Sequence, residues 1–172
     1  MMVLASVLQL MLAVTFVVMP LAAYRYGTAA QRAADADAMR QGLPAGTLAE
    51  HGIRMEESKG EMVLPLAIAL ALAILAALNM AGVGMGRTLT WILQPLMLLA
   101  GGVVTVSQVF VVRYVEAAVR KSTDPVMRGV DANSFISAAQ AQFPGWVRPV
   151  IITRFVLATV GSALIIVLLA CI

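Results

Sequence analysis

The chain has 172 residues, 61% of them hydrophobic and only 12% charged, with a formal net charge of +3. Soluble domains carry about 25% charged residues, so this composition excludes an ordinary soluble domain. The basic residues are too few and too scattered for a nucleic-acid interface, and the single cysteine, Cys171, excludes an intrachain disulfide.

The first apolar run extends from Val3 to about Ala23. It lacks a charged leading segment and is too long for the apolar core of a signal peptide, so it reads as a retained helix. A polar stretch follows over 24–61. Thr28 with Gln31, and Thr47 with Glu50, match the capping-box spacing. Two short helices separated by Gly42-Leu43-Pro44-Ala45-Gly46 are predicted, the first prolonging the first span. Glu50 and Arg54 are spaced for an ion pair one turn apart.

The second run covers Met62 to about Val83, and Gly82-Val83-Gly84-Met85-Gly86 then reads as a flexible hairpin. These glycines follow an apolar helix and precede no Lys-Ser/Thr pair, so they are not a phosphate loop. The third run covers about Leu89 to Val112. Its helix is expected to continue through Glu116 and Arg120 until Ser122-Thr123-Asp124-Pro125 stops it. Asp131 or Asn133 then caps a short amphipathic helix with Phe135, Ile136, Ala139 and Phe143 on one side. With no basic residue to hold anionic lipid, packing on protein is favoured over lying on a membrane. The fourth run covers Val150–Ile172. Each run is long enough to cross a bilayer, which takes about 20 residues. The predicted class is an all-α integral membrane protein, a single domain over 1–172 with four transmembrane helices and two helical cytoplasmic loops.

Basic residues set the orientation. The loops over 24–61 and 113–149 hold most of the Arg and Lys, whereas the hairpin holds only Arg87. The positive-inside rule places both loops in the cytoplasm of a bacterial inner membrane and both termini outside. Arg25, Arg113 and Trp146 fall at the span ends, where snorkelling guanidinium groups and aromatic rings meet lipid headgroups. Arg154, about one turn into the fourth span, is expected to snorkel to the same level.

The third span carries a small and polar stripe: Gln94, Gly101, Thr105 and Gln108. Helices in lipid associate through close backbone contact and interhelical hydrogen bonds, so the stripe reads as a packing seam. Ala69, Ala73, Ala77 and Ala81 in the second span form a candidate partner ridge at four-residue spacing, and Ala158 and Ser162 repeat the pattern in the fourth. Gln9, Thr15 and Asn79 add polar groups in the other spans. No Asp or Glu lies within any span, which argues against an acidic proton relay. His51 is the sole histidine and has no companions at metal-ligand spacing. No catalytic, cofactor or metal residue is assigned, and an enzyme is not expected.

These features point to a non-catalytic accessory subunit packed into a larger membrane complex and contacting membrane lipids. The alternative is a small homo-oligomeric carrier or channel for a lipid or apolar solute, lined by Gln94, Thr105 and Gln108. Ten of the twelve basic residues are Arg, a bias that suits a high-GC bacterial genome. Four spans, two similar loops on one side, the hairpin GVGMGRT and an Ala/Arg-rich composition resemble the small four-span accessory membrane proteins of mycobacteria and other actinobacteria. That group includes the LucA/LucB-type coordinators of MCE-type lipid importers. The resemblance implies a stabilising or regulatory subunit of a fatty-acid or sterol importer, touching permease-type subunits through its spans. It carries over no functional residue.

Overall fold

The computed structural model describes residues 2–171, and every regular element among them is helical. Four helices are long and apolar enough to cross a membrane: Met2–Arg40, Val63–Met80, Gly84–Val109 and Val147–Ala170. The chain divides into two compact units. One comprises Met1–Pro20, Gly60–Val109 and Arg148–Ile172; the other comprises Leu21–Lys59 and Phe110–Val147.

In the first unit the leading half of α1 (Met2–Arg40) packs with α3 (Val63–Met80), α4 (Gly84–Leu96), α5 (Gly102–Val109), α9 (Val147–Val156) and α10 (Ser162–Ala170). Leu12, Ala13 and Phe16 meet Ala69, Leu72, Leu157 and Ala158 in its main core, and Ala5, Ile165 and Leu169 form a second cluster. The outward side chains are apolar too, with Leu70, Leu99, Val103 and Val160 more than half exposed. When the inner and outer faces are equally apolar, small residues and polar contacts decide which face turns inward.

The hairpin between α3 and α4 is tighter than predicted. The third long helix starts at Gly84, and only Ala81, Gly82 and Val83 form the turn, with Gly82 at φ +69°. Gly86 is helical. A Cβ there would sit 2.7 Å from Leu78 Cβ and 3.0 Å from the Asn79 amide nitrogen. This glycine serves close helix approach rather than loop flexibility. The Arg87 guanidinium donates to the Leu169 carbonyl across 3.4 Å, capping the last turn of α10.

Both of the last two long helices are interrupted by a π-helical turn, at Met97–Gly101 and at Leu157–Gly161. The turns face each other: a Cβ at Gly101 would meet Ala158 Cβ at 3.6 Å, and one at Gly102 would meet Thr159 Cγ2 at 3.5 Å. A break at Phe110, with φ −105° and ψ 31°, follows α5 and precedes the helix Val111–Lys121.

The second unit holds the trailing half of α1 with α2 (Thr47–Glu50), α6 (Val111–Lys121), α7 (Pro125–Arg128) and α8 (Ala132–Gln140). Ala30, Ala34 and Ala38 line one side of α1 and meet Leu43, Leu48, Val119, Met127, Phe135, Ile136 and Ala139. Neither long loop has enough apolar residues for a core of its own; together they build one. Asp131 caps α8 by accepting from the amides of Asn133 at 2.9 Å and Ser134 at 3.4 Å, and Asp124 caps α7 through Val126. The two loops are stitched by Gln41: its Oε1 accepts from the Asp131 amide at 2.7 Å and its Nε2 donates to the Asp131 carbonyl at 3.3 Å.

The two predicted capping boxes do not form. Helix α1 runs unbroken through Thr28, so no helix starts there. Gly46, at φ 82°, precedes α2, and the Thr47 hydroxyl donates back to the Pro44 carbonyl at 2.8 Å. The freed Gln31 does other work: its Oε1 accepts from the Met55 amide at 2.7 Å, which ties the non-helical strap after α2 onto α1. Gly27 allows that contact, since a Cβ there would lie 2.6 Å from the Met55 carbonyl oxygen. Helix α2 ends at Glu50, so Glu50 and Arg54 are not one helical turn apart.

Candidate functional site

The polar side chains of the first unit converge inside it. Asn79 Nδ2 donates to Gln9 Oε1 at 3.1 Å and to Thr90 Oγ1 at 2.8 Å. Gln9 Nε2 donates to Gln94 Oε1 at 3.3 Å and lies 3.4 Å from Thr90 Oγ1. Gln94 Nε2 donates to Ser162 Oγ at 2.8 Å, and Ser162 in turn reaches the Leu157 carbonyl at 3.4 Å. The amides therefore run head to tail from α3 through α1 and α4 to α10, touching all four long helices. Gln9, Thr90, Gln94 and Ser162 are fully buried, and Asn79 is 2% exposed. Asn79 Oδ1, at the start of the run, is enclosed without a hydrogen-bond partner among the described residues. The remaining amide groups are paired, and buried polar networks of this kind favour one packing over others.

Local sequence places each member. Gly86, Thr90 and Gln94 recur at four-residue steps and share one side of α4. The Thr90 hydroxyl donates to the Gly86 carbonyl at 2.8 Å, which leaves its lone pairs for Asn79 and Gln9. The π turn at Leu157–Gly161 brings Ser162 beside the Leu157 carbonyl. Thr105 Oγ1 donates to the Gly101 carbonyl at 2.7 Å, a hydroxyl cap at the end of the other π turn.

Of the predicted seam, Gln94, Gly101, Thr105, Ala158 and Ser162 are buried. Gln94 with Ser162 and Gly101 with Ala158 join the third long helix to the fourth, while the Thr105 hydroxyl bonds within its own helix. The α3 ridge divides. Ala69 is buried and Ala73 half-buried, while Ala77 and Ala81 are exposed. The inward side of α3 is Ala69, Leu72, Ala76 and Asn79. Gln108 stands apart: it is half-buried, and its Oε1 is enclosed without a hydrogen-bond partner among the described residues. Thr90 was not singled out from the sequence, although it sits one turn before Gln94 on the same side.

The four residues expected at a lipid interface also separate. Arg154 is 5% exposed, with its guanidinium carbon 4.2 Å from the centre of the Phe16 ring. It points into the first unit rather than outward, held in a cation–π stack. Arg25 and Arg113 are exposed, over the rings of Tyr26 and Phe110 respectively, each at 5.8 Å. Trp146 is 46% exposed.

The second unit has a shallow cleft of about 320 Å³ lined by His51, Ile53, Val119, Lys121, Ser122 and Met127, among others. His51 Nδ1 lies 2.9 Å from the Thr47 carbonyl, which makes it the N–H donor, and Nε2 faces Asp124 Oδ2 at 3.9 Å. Among the described residues no three His, Cys, Asp or Glu side chains stand close enough to share a metal ion. Compared with protein-family models, curated proteins and solved structures, the chain matches none.

Proposed function

We propose that this chain is a non-catalytic accessory subunit embedded in a bacterial membrane, where it stabilises a larger membrane complex. The observation that carries this reading is the fate of the polar stripe. Gln94 and Thr105, which a carrier would need along its path, are buried and hydrogen-bonded within the chain. The Gln94 amide goes into joining helices, through Gln9 and Ser162, and the Thr105 hydroxyl is taken up by carbonyls of its own helix.

The outer surface supports the same reading. On α3, exposed Ala67, Ala71, Ala77 and Ala81 surround Leu70 and Ile74, which are 63% and 51% exposed. Small residues on an outward helix face let another helix approach closely where lipid supplies no hydrophobic force. An MCE-type lipid importer, suggested by the resemblance of the overall plan, is the complex to test first.

A photo-crosslinking residue at Ala77 or Ile74 tests the reading in native membranes. It is expected to capture one discrete membrane-protein partner, while the same residue at Val103 captures mainly lipid. Lipid adducts alone at all three positions would remove the proposed interface.

A further inference from the structure

We propose that Arg25 and Arg113 are binding sites for the headgroups of anionic phospholipids. The proposal rests on the membrane reading above and adds a ligand class to it. Arg25 is the first charged residue after the opening apolar run, and Arg113 is the first after the apolar run of the third span. Both side chains are exposed. Each is held with its guanidinium carbon 5.8 Å from an aromatic ring centre, Tyr26 for one and Phe110 for the other. Among the described residues neither lies within ion-pair distance of a carboxylate, whereas Arg40 has Asp37 at 3.9 Å.

A ring within about 6 Å attracts an exposed guanidinium weakly, and the exposed N–H edge stays open to a ligand. That planar edge matches two oxygens of a phosphodiester, a geometry an ammonium cannot reproduce. The surroundings set the depth. Tyr24, Phe110 and Tyr114 are 48%, 45% and 52% exposed, and such rings favour the headgroup layer. Phosphate lies where the hydrocarbon ends, which is where these two arginines end the apolar runs. Arg154 fails the same test because it is buried over Phe16. Arg32 and Arg128 are exposed but lie farther along the chain from the apolar runs. An acidic peptide would use the same charge, but it has no reason to meet arginines only at the apolar boundary.

The test is native mass spectrometry of the protein in mild detergent, titrated with phosphatidylglycerol or phosphatidylcholine. Phosphatidylglycerol is expected to bind more tightly. The R25Q/R113Q variant is expected to lose about fivefold in phosphatidylglycerol affinity per arginine, and R32Q/R128Q to bind as the parent does. Thermal melts of both variants establish that they are folded, and R25K/R113K is expected to regain part of the loss. Equal binding of the two lipids would overturn the proposal. Equal losses in the two glutamine variants would also overturn it, as would an acidic peptide that displaces the lipid more effectively than phosphatidylcholine does. Failure of the membrane reading is separately visible: the chain would then partition into the aqueous phase on detergent phase separation.

Discussion

Gln94 Nε2 donates to Ser162 Oγ across 2.8 Å, and both side chains are fully buried. This bond is the last side-chain link in the chain of amides that begins at Asn79 and passes through Gln9. Gln94→Leu and Ser162→Ala are each expected to destabilise the folded bundle by about 1 kcal/mol, and by no more than about 2 kcal/mol, the range for interhelical hydrogen bonds in lipid. The double variant should cost less than the sum of the singles, because the partners lose the same bond. Unfolding in mixed dodecyl sulfate micelles, followed by circular dichroism, measures all three.

Gly27→Ala is expected to loosen the strap rather than the helix. The new methyl would stand 2.6 Å from the Met55 carbonyl oxygen and 2.7 Å from Glu56 Cα, both backbone atoms. Overpacking of this kind costs about 1–3 kcal/mol. Trypsin cleavage at Arg54 and Lys59 should accelerate, while helix content stays unchanged.

Phe135→Ala should empty the core of the second unit. Phe135 is fully buried beside Ile136, Met127 and the alanines of α1. Removing such a ring costs about 3–5 kcal/mol. Hydrogen exchange is expected to rise across α6, α7 and α8 and to stay low in α3 and α10.

Topology offers a fourth check. Thr28 and Thr88 are both exposed, so cysteines placed there are reachable by a membrane-impermeant thiol reagent on whichever side they lie. With the exposed native thiol removed by Cys171→Ser, Thr88→Cys is expected to label from outside intact cells, and Thr28→Cys only after permeabilisation. The reverse pattern would invert the orientation.

The four long helices were legible because an apolar run of span length leaves few alternatives. Gln94, Gly101 and Thr105 recur at helical steps in the third span, and Ala158 and Ser162 in the fourth, which is why these buried residues stand out in the sequence. The α3 ridge was misaligned for a geometric reason. A four-residue step advances about 40° around a helix, so Ala69, Ala73, Ala77 and Ala81 spiral off the inward side. Mixed steps of three and four keep Ala69, Leu72, Ala76 and Asn79 on it.

Other features depend on residues distant in the chain. Arg154 turns inward because Phe16, from another helix, offers its ring. The shared core of the two loops needs the Ala30, Ala34 and Ala38 side of α1, which resembles any alanine-rich solvent helix until Phe135 and Met127 are placed against it. The facing π turns carry no residue pattern that distinguishes them from α-helix.

The most direct measurement is isolation of the protein from its native membrane in mild detergent, through a tag in the exposed Pro44-Ala45-Gly46 loop, with the mass and composition of the particle determined. The account predicts a stoichiometric complex with a different and larger membrane protein. A particle made only of this chain would contradict it, and would move attention to transport and to Gln108, whose enclosed side-chain oxygen has no hydrogen-bond partner among the described residues.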